Sequence, residues 1–446
     1  MKKAFLVKVG LLALLSILLV ACKSDTDDET EDTGSSSTVS ATSVSGGGNA
    51  SSTITPYCSD SSAKSITYSF TNASGVTVTY YAKYLIDNTT ASYDSTTLSS
   101  VDCSSSNEIA FLVVNGGSLT LTDVTINKTG DGAETSSISG DAYNFYGINN
   151  AVVVLGSDSK ATLSGCTVTT SAKYANAVFT SDGGTIEIKN GITITTTGDS
   201  SRGLFASYSG TVNASDGGVN ITTSGSHCAP LATDRGSGVI IVGSSTESTA
   251  SSVTSAKNDS PCVYSTGTIT AYNLTGKCTS GQAVVVEGNN TVNLTACTMS
   301  GGRESQGCIF LYQSSSGDAA DSDSSSSKST LKITDCTFYA LNSADMFVVT
   351  HTTAQVEASG CSYYADSNKT AFSTDATQYL INCNTVNATQ WGSGNYLNAF
   401  STTDTLSGAL YAGDSSSSMI ITCATGSNLV KNSNSSGTIT VNGTAL

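Results

Sequence analysis

Two histidines, three arginines and thirteen cysteines in 446 residues bound the chemistry open to this chain. Cleaving a glycosidic bond by acid–base work needs two carboxylates placed on either side of it. Between residue 108 and the C-terminus no two aspartates are adjacent, and the acidic residues beside a cation are Asp234 next to Arg235 and Glu304 next to Arg303. Each pair fits a turn or a surface ion pair as readily as a reacting one, and a cluster gathered from distant segments stays open. His227 and His351 stand alone, and no Cys-x-x-Cys occurs. Zinc ligation is therefore not expected, nor any other metal or cofactor. Asp-Gly-Gly at 182–184 and 216–218 reads as turn chemistry before it reads as a calcium site.

What positions these residues is a repeat. Gly281 to Met299 holds a short apolar run, Ala283 to Val286, then a Gly/Asn turn, then Val292, Leu294, Cys297 and Met299 with polar residues between. Period-two alternation puts the last four on one face of an extended chain, and the extra residue at Thr295-Ala296 is a bend that restarts it. Copies of the alternating part start at 119, 161, 186, 212, 240, 269, 292, 331 and 356, and six of the eight intervals lie at 23–29 residues. A fixed interval of this size marks a solenoid. No 3.6-residue period and no leucine/asparagine signature is present. The expected fold is therefore all-β, a single-stranded parallel β-helix whose side chains stack in columns.

The columns assign roles. Cys297, Cys336 and Cys361 fall at one inward position of successive copies, with Cys166 at the same position nearer the N-terminus. Coils about 4.8 Å apart put such cysteines within disulfide reach, though parallel Cβ vectors make poor geometry. A ladder of small buried thiols is the alternative. Cys58 and Cys103, farther toward the N-terminus, form another candidate pair. Between the third and fourth inward residues stand Thr125, Thr167, Thr193, Asn220, Thr298, Thr337 and Ser362, an outward column rich in hydroxyls. Its companion column mixes Thr120, Thr162, Glu187, Asn213, Thr270, Asn293, Lys332 and Glu357, which argues against a flat ice-binding face. Tyr339 and Tyr364 fall one place past Phe338 and Tyr363. They are expected to stack outside on adjacent coils, as a glycan contact or a local packing patch.

Along the chain, residues 1–21 read as an export signal: Lys2, Lys3 and Lys8, then a mostly apolar run to Val20 too short to span a membrane comfortably. The ending Leu19-Val20-Ala21-Cys22 resembles the bacterial lipobox, which implies that Cys22 is lipidated and becomes the new N-terminus. Residues 22–55, acidic and then Ser/Thr/Gly-rich, are expected to be a disordered tether. Residues 56–107 are expected to form a cap with the first coils, and 108–446 the β-helix with a C-terminal cap. The stretch Gly130 to Asn150, with Tyr143, Phe145 and Tyr146, and the Ser-rich stretch Gln313 to Ser329 interrupt the repeat. The latter is expected to be a flexible loop. Losing the three signal lysines takes the net charge from −16 to −19, which disfavours nucleic acid.

The Gly-Thr-φ-x-φ-x-x-Cys-Thr-φ pattern (φ apolar) over about residues 108–446 resembles the right-handed parallel β-helix, or pectin-lyase-like, proteins. In particular it resembles adhesin-like bacterial surface lipoproteins. The resemblance implies a lipid-anchored rod at the outer membrane or cell surface, touching glycans or neighbouring cells. The chemistry above implies no catalysis. Arg202, Arg235 and Arg303 lack the repeated acidic cluster of pectate lyases, and the histidines lack the Gly-His-Gly context of polygalacturonases. The alternative is a polysaccharide lyase or glycoside hydrolase of the same fold.

Overall fold

Strands that alternate with period two can hide their inner faces only against other strands. The computed structural model describes residues 52–446 apart from 74, 136–137, 247–248, 315–327, 376–377 and 386–395. The expected signal, Cys22 and nearly all of the expected tether lie outside the described residues, as does most of the Gln313–Ser329 insertion. The described chain is a parallel β-helix. All nine repeat starts fall in one register: Leu119, Ala161, Ile186, Val212, Ile240, Ile269, Val292, Leu331 and Val356 pair in succession. The column continues to Ala91 at one end and through Phe400 and Ile421 to Val441 at the other.

Most coils give one strand to a first sheet and two to a second, where the chain bends; in Lys160–Thr170 and Thr185–Thr196 one strand runs through the bend. In the central coil these are Val284–Glu287, Thr291–Thr295 and Thr298–Gly301. The bend needs one left-handed residue just before the third inward position. Asp123, Asn273, Asp335, Gly165 and Gly360 supply it in their coils, with φ between +51° and +67°. Short polar residues and glycine tolerate that region. Ala296 takes it too, at φ +53°.

The second sheet is polar outside, and the first is buried on both faces. Val178, Leu204, Leu231, Val263, Val284 and Ile309 point into the solenoid core, while Val153, Phe179, Phe205 and Ala232 lie in a separate outer cluster. Two elements cover that outer layer. One is the antiparallel pair Lys64–Ser69 and Val76–Asp87. The other is a helix, Gly140–Tyr146, which lies in the Gly130 to Asn150 insertion and is too short to show a helical period in sequence. Gly147 ends it at φ +67°, and a Cβ there would stand 2.4 Å from the Phe179 ring. Burying each such phenylalanine is worth about 1.5–3 kcal/mol.

Candidate functional site

The outward column runs in register for longer than the sequence suggests, with a hydroxyl at every rung but Asn220. Ser100, Thr125, Thr167, Thr193 and Asn220 pair in register, then Ser252 and Thr275, then Thr298, Thr337 and Ser362. Two residues further along each strand lies a second column, ending Thr254, Lys277, Ser300, Tyr339, Tyr364. Coils are spaced about 4.8 Å and the two columns about 6.6 Å, so the face is a regular grid of donors and acceptors. The rings of Tyr339 and Tyr364 stack at 5.4 Å and 19°, both half-buried. Tyr339 has Ser300 on its other side in register, so its free ring face looks onto a small side chain.

A different cluster forms on the outer face of the first sheet, where one of the acidic candidates finds a partner from the preceding coil. Arg202 Nη2 lies 3.8 Å from Asp234 Oδ2, with both side chains about nine-tenths buried. The Arg202 guanidinium lies over the Phe205 ring at 4.5 Å, and that of Arg235 over Phe145 at 3.9 Å. Both cations lie against aromatic faces, and the Arg235–Phe145 contact pins the helix to the coils. His227 Nε2 stands 3.4 Å from Asp259 Oδ2. Arg303 closes a tight loop through backbone hydrogen bonds with Gly307, with Glu304 exposed beside it. His351 occupies a turn at φ +54°.

Asp182 is a clasp. Its carboxylate accepts the Tyr68 hydroxyl at 2.7 Å and the Thr71 and Asn72 amides at 2.9 and 2.6 Å, fastening the hairpin across the coils. Protein donors thus occupy both of its oxygens. Asp216 pairs instead with Lys189 at 3.5 Å in solvent. Among the described residues no group of His, Cys, Asp and Glu is arranged to hold a metal.

The twelve described cysteines are free thiols, Cys58 and Cys103 included. Cys103 Sγ donates to Glu108 at 3.3 Å, and burial pushes its pKa up to about 12. The fully buried Lys128 lies beside them, its amine donating to Ser105 O at 3.0 Å, and burial holds its pKa below the ordinary lysine value. Burial also raises the Cys58 thiol.

Two groupings escape the sequence reading. Tyr379 and Tyr411 form a second half-buried stacked pair, at 5.0 Å and 16°. On the outer face of the first sheet the buried Glu287 accepts the hydroxyls of Tyr264 and Tyr312, the latter at 2.7 Å. The available signal was the coil interval: Glu287 and Tyr312 are 25 residues apart and pair in register. No protein-family model matches the chain, and neither a curated protein nor a solved structure matches it.

Proposed function

We propose that this chain is an exported, lipid-anchored β-helix of the pectin-lyase-like kind that acts at a bacterial surface as a non-catalytic adhesion rod contacting glycans. The observation that carries the reading is the stacked Tyr339–Tyr364 pair ending a column that borders the hydroxyl grid. An aromatic face packs against the C–H face of a pyranose, while flanking hydroxyls exchange hydrogen bonds with the sugar's own. Lipidation at Cys22 would hold the rod to the membrane surface without spanning it. The alternative lyase or hydrolase needs carboxylates that substrate can reach. Asp234 and Glu287, two acids on the outer face of the first sheet, are each buried and ion-paired or hydrogen-bonded to protein groups, which favours the non-catalytic reading.

A glycan array run beside a uronate-release assay tests this. Retention of one or more oligosaccharides, lost in Tyr339→Ala and Tyr364→Ala at unchanged thermal midpoint, is the expected result. Release of uronate from polymer, or glycan retention indifferent to both substitutions, contradicts it. Cys22→Ser is expected to move the protein from the membrane fraction to the soluble exported fraction.

A further inference from the structure

Three sulfurs stand one above another beside the bend of the second sheet. Thr337 N–H donates to Cys297 O and Ser362 N–H to Cys336 O, each at 2.8 Å, so the three cysteines occupy successive rungs. Every thiol in the column takes the same pose. Cys297, Cys336 and Cys361 each lie 3.2–3.4 Å from the carbonyl two residues earlier, and 3.5 Å from a carbonyl of the neighbouring coil. One pose repeated at the coil rise sets adjacent Cα atoms about 4.8 Å apart, inside the range a disulfide spans. Cys166 has the same pose, but its neighbours in the column are Val124 and Ile192, so it has no sulfur to meet. Cys361 alone among the described cysteines is partly exposed. It precedes Ser362–Tyr364, a three-residue strand half-exposed throughout, where the backbone has room to adjust.

We propose that this column is a thiol relay that accepts one disulfide, through Cys361, from a low-molecular-weight disulfide. Cys361 loses its proton and attacks one sulfur of the small disulfide, whose S–S bond breaks and releases one small thiol that carries the proton away. Because the Cys336 thiol and burial raise the Cys361 pKa, this step quickens as pH rises. Cys336 then attacks the Cys361 sulfur of the mixed disulfide and releases the second small thiol. Two protein thiols are oxidised to one disulfide, and one small disulfide is reduced to two thiols. Cys336 also faces Cys297, so Cys297 can attack Cys336, form the inner bond and return Cys361 to the thiol without further oxidant. Cys336 is bonded in both closed forms.

The test treats the whole purified chain with oxidised glutathione, then maps alkylated peptides by mass spectrometry. A Cys336–Cys361 link is expected first, a Cys297–Cys336 link later at its expense, and unlinked Cys166 throughout. Cys336→Ala is expected to leave a glutathione adduct on Cys361. Cys361→Ser, at the half-exposed end where the fold tolerates it, is expected to slow all linkage in the column by about tenfold or more. Column cysteines that stay as thiols like Cys166 overturn the proposal. So does a Cys297–Cys336 link that forms first and at the same rate in Cys361→Ser.

Discussion

Ala296 carries a methyl group where its equivalents in other coils are Asp, Asn or Gly. A left-handed L-residue costs about 1–2 kcal/mol, and glycine loses part of that advantage to its freedom in the unfolded chain. Ala296→Gly is therefore expected to stabilise by about 1 kcal/mol, read as a higher denaturant midpoint at unchanged slope. A lower midpoint means the bend is held by contacts to that methyl. At this scale the inward residues of the second sheet were legible, because period-two alternation separates inside from outside. The first sheet was not. Its strands, such as Ile309–Tyr312, are buried on both faces and read as unbroken apolar runs, so sequence cannot say which side Phe310 or Tyr312 faces. Glu287 was missed for that reason, and the Tyr379–Tyr411 pair because Tyr379 precedes its strand in a stretch where the repeat register is lost.

The covering layer is the element on which the N-terminal coils depend. One carboxylate clasps its hairpin, and Asp182→Ala removes three hydrogen bonds from a buried group. Hydrogen bonds to a charged acceptor are worth about 1.5–3 kcal/mol each, partly recovered by water. A loss of about 3 kcal/mol is expected. Amide exchange should rise across 64–87 and 140–146 while strands beyond 260 keep their protection. Uniform exchange along the rod would show that the hairpin is not a separate unit. Phe145→Ala is expected to free the helix alone, since it removes the ring under the Arg235 guanidinium. None of this layer was legible as a layer: its aromatic residues show in the sequence, but what they touch lies in coils as far along the chain as Tyr208 is from Phe70.

Across the whole molecule the thiols set the response to alkali. Burial or a neighbouring sulfur raises the pKa of Cys58, Cys103, Cys166, Cys228, Cys262, Cys278, Cys308, Cys336, Cys361 and Cys383 above the ordinary 9.0. The folded chain thus keeps protons that the unfolded chain releases near pH 9. The stability these groups lend is fully present below that pH and drains away above it, by about 1.4 kcal/mol per pH unit for each thiol. Lys128, shifted downward, and Cys297, lowered by the Cys336 thiol donating to it, act the other way. Ten groups against two fix the sign. Under reductant, the thermal midpoint is expected to fall steeply above about pH 9. A midpoint flat to pH 11 would mean the sulfurs are already bonded or ionised.

The parallel inter-coil ladders point their hydrogen bonds along the solenoid axis, so a chain pulled by its N-terminal end loads them in series rather than in shear. Such a rod unspools one turn at a time, each turn of about 25 residues freeing roughly 80–90 Å of slack. The Asp182 clasp ties the hairpin to a coil about a hundred residues downstream, so the first coils must give way together. The molecule would then act as a tension-limited leash with a stiff first latch.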